Sequence, residues 1–202
     1  GSYEDLWRWS VDRPEQFWSS VWDFCGVVGD KGKTVLTDGN KMPGAKFFPE
    51  AKINYAENLL RRRDKETAMI FMDETGKEYH LPFATLYGYV SRWQQALAAA
   101  GVGKGDRVAA YMPNMPETIV AMLATASLGA IWSSASPDFG VQGIVDRFSQ
   151  IKPKVLIASD GYYYNHYNSK TIDCLEKVRE IQPQLPGLER TIVVKVGGSA
   201  IG

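Results

Sequence analysis

The chain has 202 residues, with 23 basic and 23 acidic side chains, a formal net charge of zero, 45% hydrophobic residues and 23% charged ones. That much apolar side chain can offset the entropy of ordering and excludes a low-complexity disordered chain. The balanced charge argues against nucleic acid, whose phosphates call for a basic excess. Two cysteines, Cys25 and Cys174, are too few for a disulfide framework or a thiolate metal cluster and suit a reduced, cytoplasmic setting. No membrane is expected, since the longest apolar stretch, Ile119 to Ala126, is far too short to span a bilayer. Gly1-Ser2 reads as the scar of a removed tag.

The opening predicts two short helices divided at Arg13-Pro14, because proline ends the first and suits the first turn of the second. Four of the six tryptophans lie in these first 22 residues, and Phe17, Trp18, Val21, Trp22 and Cys25 share one helical face. So much aromatic area must dock, and the chain's own body is the simpler partner than a second protein. Gly26 to Lys46 reads as loop. Asn54 to Arg63 reads as a further helix, with Arg61-Arg62-Arg63 as its solvated, dipole-favoured last turn.

From Thr67 the pattern turns regular. Thr75-Gly76 between two apolar runs predicts a strand–turn–strand hairpin. A helix from Phe83 to Ala100 follows and stops at Gly101. Strands are then expected at Arg107–Met112, Ala130–Ser134, Lys154–Ser159 and Thr191–Val196. The intervening helices are expected from Pro116 to Leu128, from Asp138 to the break at Pro153, and from Thr171 to Ile181. Asn114 with Glu117 fits a capping box for the first of these helices, and Asp138 fits an N-cap for the second. Short apolar strands alternating with helices predict an α/β fold with parallel βα units covered on both faces. The last strand lacks a following helix, as expected of a fragment.

Few segments offer chemistry. Gly101-Val-Gly-Lys-Gly-Asp106 has the composition of a phosphate loop but follows a helix and precedes a strand, the wrong end of a βα unit for an anion. It reads as a helix C-cap and turn. Ser133-Ser-Ala-Ser-Pro-Asp-Phe-Gly140 follows a strand's carboxyl end, where open α/β sheets bind ligands. Its hydroxyls and helix start suit phosphate or pantetheine-like groups, and a plain capped turn is the competing reading. His80 and His166 lack the neighbours that metal or triad chemistry needs. Tyr162, Tyr163, Tyr164 and Tyr167 line either a ligand mouth or a ligand-free aromatic lid. No nucleophile with its base and no nucleotide fingerprint is visible.

Taken together, Asn54-Tyr-Ala-Glu-Asn-Leu-Leu60, Gly105-Asp-Arg-Val-Ala-Ala-Tyr-Met-Pro-Asn114, Ala121-Met-Leu-Ala-Thr-Ala-Ser-Leu-Gly-Ala-Ile-Trp132 and Ser136-Pro-Asp-Phe-Gly140 resemble the amino-terminal part of acyl-CoA synthetases in the adenylate-forming superfamily. The Trp-rich opening with the first of these stretches resembles the amino-terminal extension of acetyl-CoA synthetases. Gly129-Ala-Ile-Trp-Ser-Ser with Ser-Pro-Asp-Phe-Gly is nearest to the acetoacetate-activating branch, since the acetyl enzymes carry a Gly-Gly-Phe-Ser-type segment there.

The resemblance implies residues 1–63 as a helical extension and 64–202 as the first, truncated part of an adenylating domain. It implies a parent enzyme that uses ATP and Mg²⁺ to make an acyl-adenylate from acetoacetate or another short carboxylic acid, and then passes the acyl group to CoA. The family's Ser/Thr/Gly-rich phosphate loop, adenine pocket, ribose-binding Asp and catalytic Lys are absent from this sequence, so no catalytic residue is carried over and the fragment itself is expected to be inactive. What carries over is CoA contact: Phe139 and Gly140 match the Gly-Gly-Phe-Ser segment, and two CoA-phosphate arginines fall on Tyr163 and on His166 or Lys170. Losing both arginines weakens that contact, and Lys170 alone keeps a fixed charge. Two other readings stay open, an acetate, propionate or similar enzyme and a non-catalytic α/β binding module. A fragment is further expected to dimerise through exposed apolar surface.

Overall fold

The structure is a computed structural model that describes residues 1–74, 76–164 and 170–196. The chain divides into two compact units, residues 1–58 and 59–202.

The first unit opens with α1 (Tyr3–Asp12) and α2 (Pro14–Phe24). Ser2 and Asp5 form a reciprocal capping box at the start of α1, and Pro14 occupies the first turn of α2. The expected loop after α2 contains short ladders instead: β1 (Gly29–Asp30) pairs with β4 (Lys52–Ile53), and β2 (Leu36–Thr37) with β3 (Lys46–Phe47). The aromatic stripe of α2 docks on this segment. Trp18 meets the Phe47 ring edge-on at 5.8 Å and Trp22 meets the Phe48 ring at 5.0 Å. Lys31 fastens the same helix by donating to the Ser19 carbonyl, the Ser19 hydroxyl and Asp23.

The expected helix from Asn54 to Arg63 is shorter, α3 (Tyr55–Leu59). Asn58 donates to and accepts from the backbone of Val28, which ties the helix into its unit. The arginine run therefore is not a last helical turn. Arg62 pairs with Asp64 and lies over the Phe83 ring, and Arg63 lies over Tyr87.

In the second unit β5 (Thr67–Met72) and β6 (Glu78–Pro82) form the expected antiparallel hairpin, whose Thr75 lies outside the described residues. Next come α4 (Phe83–Ala99), β7 (Arg107–Tyr111), α5 (Pro116–Ser127), β8 (Ile131–Ala135), α6 (Val141–Ile151) and β9 (Val155–Ser159). The unit continues through β10 (Gly161–Tyr164), β11 (Lys170–Asp173), α7 (Leu175–Ile181) and β12 (Arg190–Val194). The expected helix from Thr171 starts late because residues 170–173 are claimed by a hairpin with β10.

Strands β12, β9, β7 and β8 lie side by side in that order, all parallel. The path steps from β7 to β8, then turns back past β7 to β9. Right-handed crossovers therefore put α5 on one face of the sheet and α6 on the other. Ile144 and Phe148 of α6 and Val178 and Ile181 of α7 pack on Ala109, Tyr111, Leu156 and Ala158. Val108 and Ala110 point the opposite way, toward the α4–α5 layer. The fold is thus α/β, a parallel sheet with helices on both faces, as the alternation of runs implied.

The amino edge of this sheet is held by capped helix ends. After α4 the Gly101 N–H reaches the Ala98 carbonyl and the Val102 N–H reaches Leu97, with Gly101 at φ 82°. After α5, Gly129 and Ala130 repeat the arrangement on Ala126 and Thr125, with Gly129 at φ 68°. The glycine-rich segment is a C-cap, as its position required. Arg107 closes α6 by donating to the carbonyls of Ile151 and Lys152. Lys154 donates to the Gly101 carbonyl and to Asp106. The Gly103 N–H and then Lys154 hold the Asp106 carboxyl below its ordinary range.

Both expected N-caps fail. Pro116 takes the first position of α5, which moves the cap to Met115, so Asn114 and Glu117 form no capping box. Helix α6 begins after Gly140, two residues beyond Asp138, whose carboxylate accepts from the Ser136 hydroxyl instead.

Two outcomes follow for the folded chain. Arg107→Met should cost about 1–3 kcal/mol by losing charge-assisted bonds to two helix-end carbonyls, whereas Asn114→Ala should stay within about 0.5 kcal/mol. Urea unfolding checks both, and equal midpoints for the two variants would contradict this account. Asp106 is depressed in the folded state, so its contribution is present above the ordinary carboxylate pKa and is lost as pH falls through the lowered value. Asp106→Asn should accordingly flatten the acid limb of a Tm-against-pH curve.

Candidate functional site

In a doubly wound sheet a crevice opens at the carboxyl edge where the chain reverses direction. Here the reversal falls at β7, between β8 on one side and β9 on the other. The segment after β8 carries Phe139 and Gly140, and the β10–β11 hairpin after β9 carries Tyr163. These three expected contacts thus lie on the segments that follow the two strands flanking β7.

Tyr111, the last residue of β7, organises this edge. Its side chain is wholly buried, and its hydroxyl lies 2.7 Å from both the Pro137 and the Phe139 carbonyls, which share its proton. Burial drives the phenol far above its ordinary range, so it remains a donor. Lys177 of α7 donates to the Pro137 carbonyl from the other side, at 3.3 Å. The turn from Ser136 to Gly140 is therefore fixed at two carbonyls, one of them from two directions, and its buried Pro137 anchors it.

On that anchored turn Phe139 is 38% exposed, with the Arg147 guanidinium 4.2 Å over its ring. Gly140 is the N-cap of α6, and no side chain caps the helix. Its φ of −70° suits any residue, and a methyl group built on it would meet nothing within 4 Å. Neither backbone strain nor packing among the described residues asks for glycine at this position.

On the other side, Asp160 fixes the root of the hairpin. Its N–H donates to Val194, its carbonyl accepts from the Cys174 N–H, and its carboxylate accepts from the Val196 N–H. Tyr163 stands opposite Thr171, and the Tyr164–Lys170 pair carries the hairpin on. Lys170 is placed by its backbone on β11, while His166 and Tyr167 lie outside the described residues. Cys174 is fully buried, and burial pushes its thiol above the ordinary value, the opposite of what a nucleophile needs.

His80 sits on the exposed hairpin, 2.5 Å from Glu78. No group of three or more His, Cys, Asp or Glu able to hold a metal ion occurs among the described residues. No helix of the described residues is long and apolar enough to cross a membrane.

Tyr111 and Lys177 escaped the reading of the sequence. A hydroxyl-bearing ring on an inward position of an otherwise aliphatic strand was the available signal for Tyr111. Lys177, one charged residue among several on α7, gave none.

The chain belongs to the AMP-binding enzyme family, whose model matches residues 56–200. Residues 3–59 match the family of acetyl-coenzyme A synthetase amino termini. An acetoacetyl-coenzyme A synthetase of Rhizobium meliloti is 52% identical over 198 residues, 98% of this chain and 30% of that protein. The acetoacetyl-CoA synthetase of Macaca fascicularis is 39% identical, over 96% of this chain and 29% of its own. A malonamoyl-CoA synthetase of Penicillium aethiopicum is 38% identical, over 96% and 28%. Among solved structures, the acetoacetyl-CoA synthetase from Streptomyces lividans superimposes with a TM-score of 0.89 at 40% identity, covering 98% of this chain and 31% of that one. The chain spans about 30% of the length of the curated relatives it matches.

Tyr111→Phe tests the anchoring of the turn. Removing a buried hydroxyl that serves two carbonyls should cost about 1–3 kcal/mol in urea unfolding and should speed amide exchange at Phe139 and Gly140. Unaltered exchange there would show that the turn holds without it.

Proposed function

We propose that this chain is the amino-terminal part of an AMP-forming acid–thiol ligase that activates acetoacetate as an acyl-adenylate and transfers it to CoA. Residues 1–63 form its extension and 64–202 the first part of its adenylating domain. The observation that carries this reading is the extent of the likeness: acetoacetyl-CoA synthetases align along nearly the whole chain, through both compact units. The parent works in the cytoplasm on small soluble substrates. Alone, the 202-residue chain is inactive and associates through apolar surface such as Val193 on the outer strand β12.

The chain's own part in the reaction is to position CoA. Gly140 supports this reading because its free side opens on space beside an uncapped helix start, which favours anionic groups. Phe139 offers an exposed ring for the apolar arm of CoA, and the family likeness aligns Tyr163 and His166 or Lys170 with contacts to the nucleotide phosphate. ATP, when bound, would supply the adenylyl group that activates the carboxylate, with pyrophosphate as the leaving group, and Mg²⁺ would neutralise the phosphate charge. The described residues bring together neither a phosphate loop nor an acidic cluster, so no residue of this chain is assigned to them.

The malonamoyl-CoA synthetase relative favours a second, related substrate. Malonamate, like acetoacetate, bears a carbonyl group β to its carboxylate, so a β-carbonyl acid is the common chemistry.

The full-length protein should release pyrophosphate in the presence of acetoacetate and CoA, and the 202-residue chain should not. Turnover by the short chain, or preference of the long one for acetate over both β-carbonyl acids, would overturn this reading. Gly140→Ala in the full-length protein should raise the KM for CoA several-fold at a stability cost of about 1 kcal/mol or less. An unchanged KM would remove Gly140 from the CoA site.

A further inference from the structure

Buried polar atoms in a folded protein are almost always hydrogen-bonded, and those that are not need a reason. Among the described residues two side-chain oxygens are buried with no partner: Oε2 of Glu117 and Oγ of Ser159. Glu117 is 8% exposed and Ser159 is fully buried.

Both lie at the carboxyl edge and on the same face of the sheet. Ser159 ends β9, one residue past Ala158, which pairs with Tyr111. Leu156 and Ala158 face α6 and α7, so alternation turns Ser159 with Val155 and Ile157 to the α5 side. Glu117 is in the first turn of α5 and shares the buried stripe of Val120, Ala121 and Ala124, the stripe turned toward the sheet. Glu117 thus stands at the start of the helix that follows β7, and Ser159 at the end of the adjoining strand β9, both on the face opposite the α6 layer.

Burial raises the Glu117 carboxyl above its ordinary pKa, its own backbone N–H opposes this only in part, and no charged neighbour offsets it. A carboxyl group placed there with no cation is a net cost, while a cation seated beside it would turn the same burial into strong mutual attraction. We propose that Glu117 is the receptor for a cationic side chain, a lysine or arginine from the part of the longer protein that follows these residues. The inference rests on the reading that the chain is part of a longer ligase. The relatives are more than three times its length, which leaves ample chain to deliver such a group. A cationic donor compensates the carboxyl group, whereas a trapped water would satisfy a hydrogen bond and leave it uncompensated.

The test compares two volume-conserving variants, Glu117→Gln and Glu117→Met, in the 202-residue chain and in the full-length protein, reading Tm and the rate of limited proteolysis. In the short chain both should leave Tm unchanged or raise it, because they remove an unpaired buried acid. In the full-length protein both should lower Tm and speed cleavage, because they strand the docked cation. Variants that raise Tm or leave it unchanged in the full-length protein would overturn the proposal in favour of an unpaired or water-bridged acid. Variants that lower Tm in both would overturn it by placing the partner within these residues. Neither readout uses turnover. Opposite signs in a protein without acetoacetate-dependent activity would thus keep the docking and remove the ligase reading.

Discussion

Strand β7 has no exposed residue from Val108 to Tyr111, and everything else in the second unit is arranged around covering it. A parallel strand buried on both faces must find helices above and below, and its neighbours must arrive by crossovers of one hand. With β8 on one flank and β9 on the other, those demands force the chain to reverse at β7. The reversal separates α5 from α6 and opens the carboxyl edge. The reversal is thus a consequence of burying three small apolar residues and one tyrosine, and the tyrosine's hydroxyl then converts the hidden strand into a support for an exposed turn.

Support of this kind explains how a turn rich in serine can be well placed without being rigid in itself. Ser136 and Asp138 satisfy each other locally, while position comes from Tyr111 and Lys177, which lie on different elements. The residues that would meet a ligand are therefore not those that set its geometry.

Much of the architecture was legible because it rests on periodicity. The run from Val155 to Ser159 is apolar enough to be a doubly covered strand, and the spacing of Ile144, Phe148 and Ile151 announces a helix face. What escaped depends on competition for single groups. Asn114 and Asp138 are good capping residues, but the caps fall one and two positions later, at Met115 and Gly140. Thr171 to Asp173 carries no strong helix breaker, and only pairing with Tyr162–Tyr164 reveals it as strand. At the site, Phe139, Gly140 and Tyr163 were reachable from family likeness. Tyr111 was reachable only by asking why one aromatic hydroxyl is buried, and the stranded oxygens of Glu117 and Ser159 only by counting partners.

The opposite edge of the sheet has a different character. Two glycine caps finish α4 and α5 through the backbone, Arg107 of β7 closes α6, and the Lys154–Asp106 pair braces the loops beside them. This edge acts as a foundation on which the loops at the far end are free to diverge. Its amino acids would be intolerant of change in any selection for function, although none of them touches a reactant. A genetic screen scored by growth would rank Arg107 beside true contact residues, and measuring the amount of folded protein recovered would tell the two kinds of loss apart.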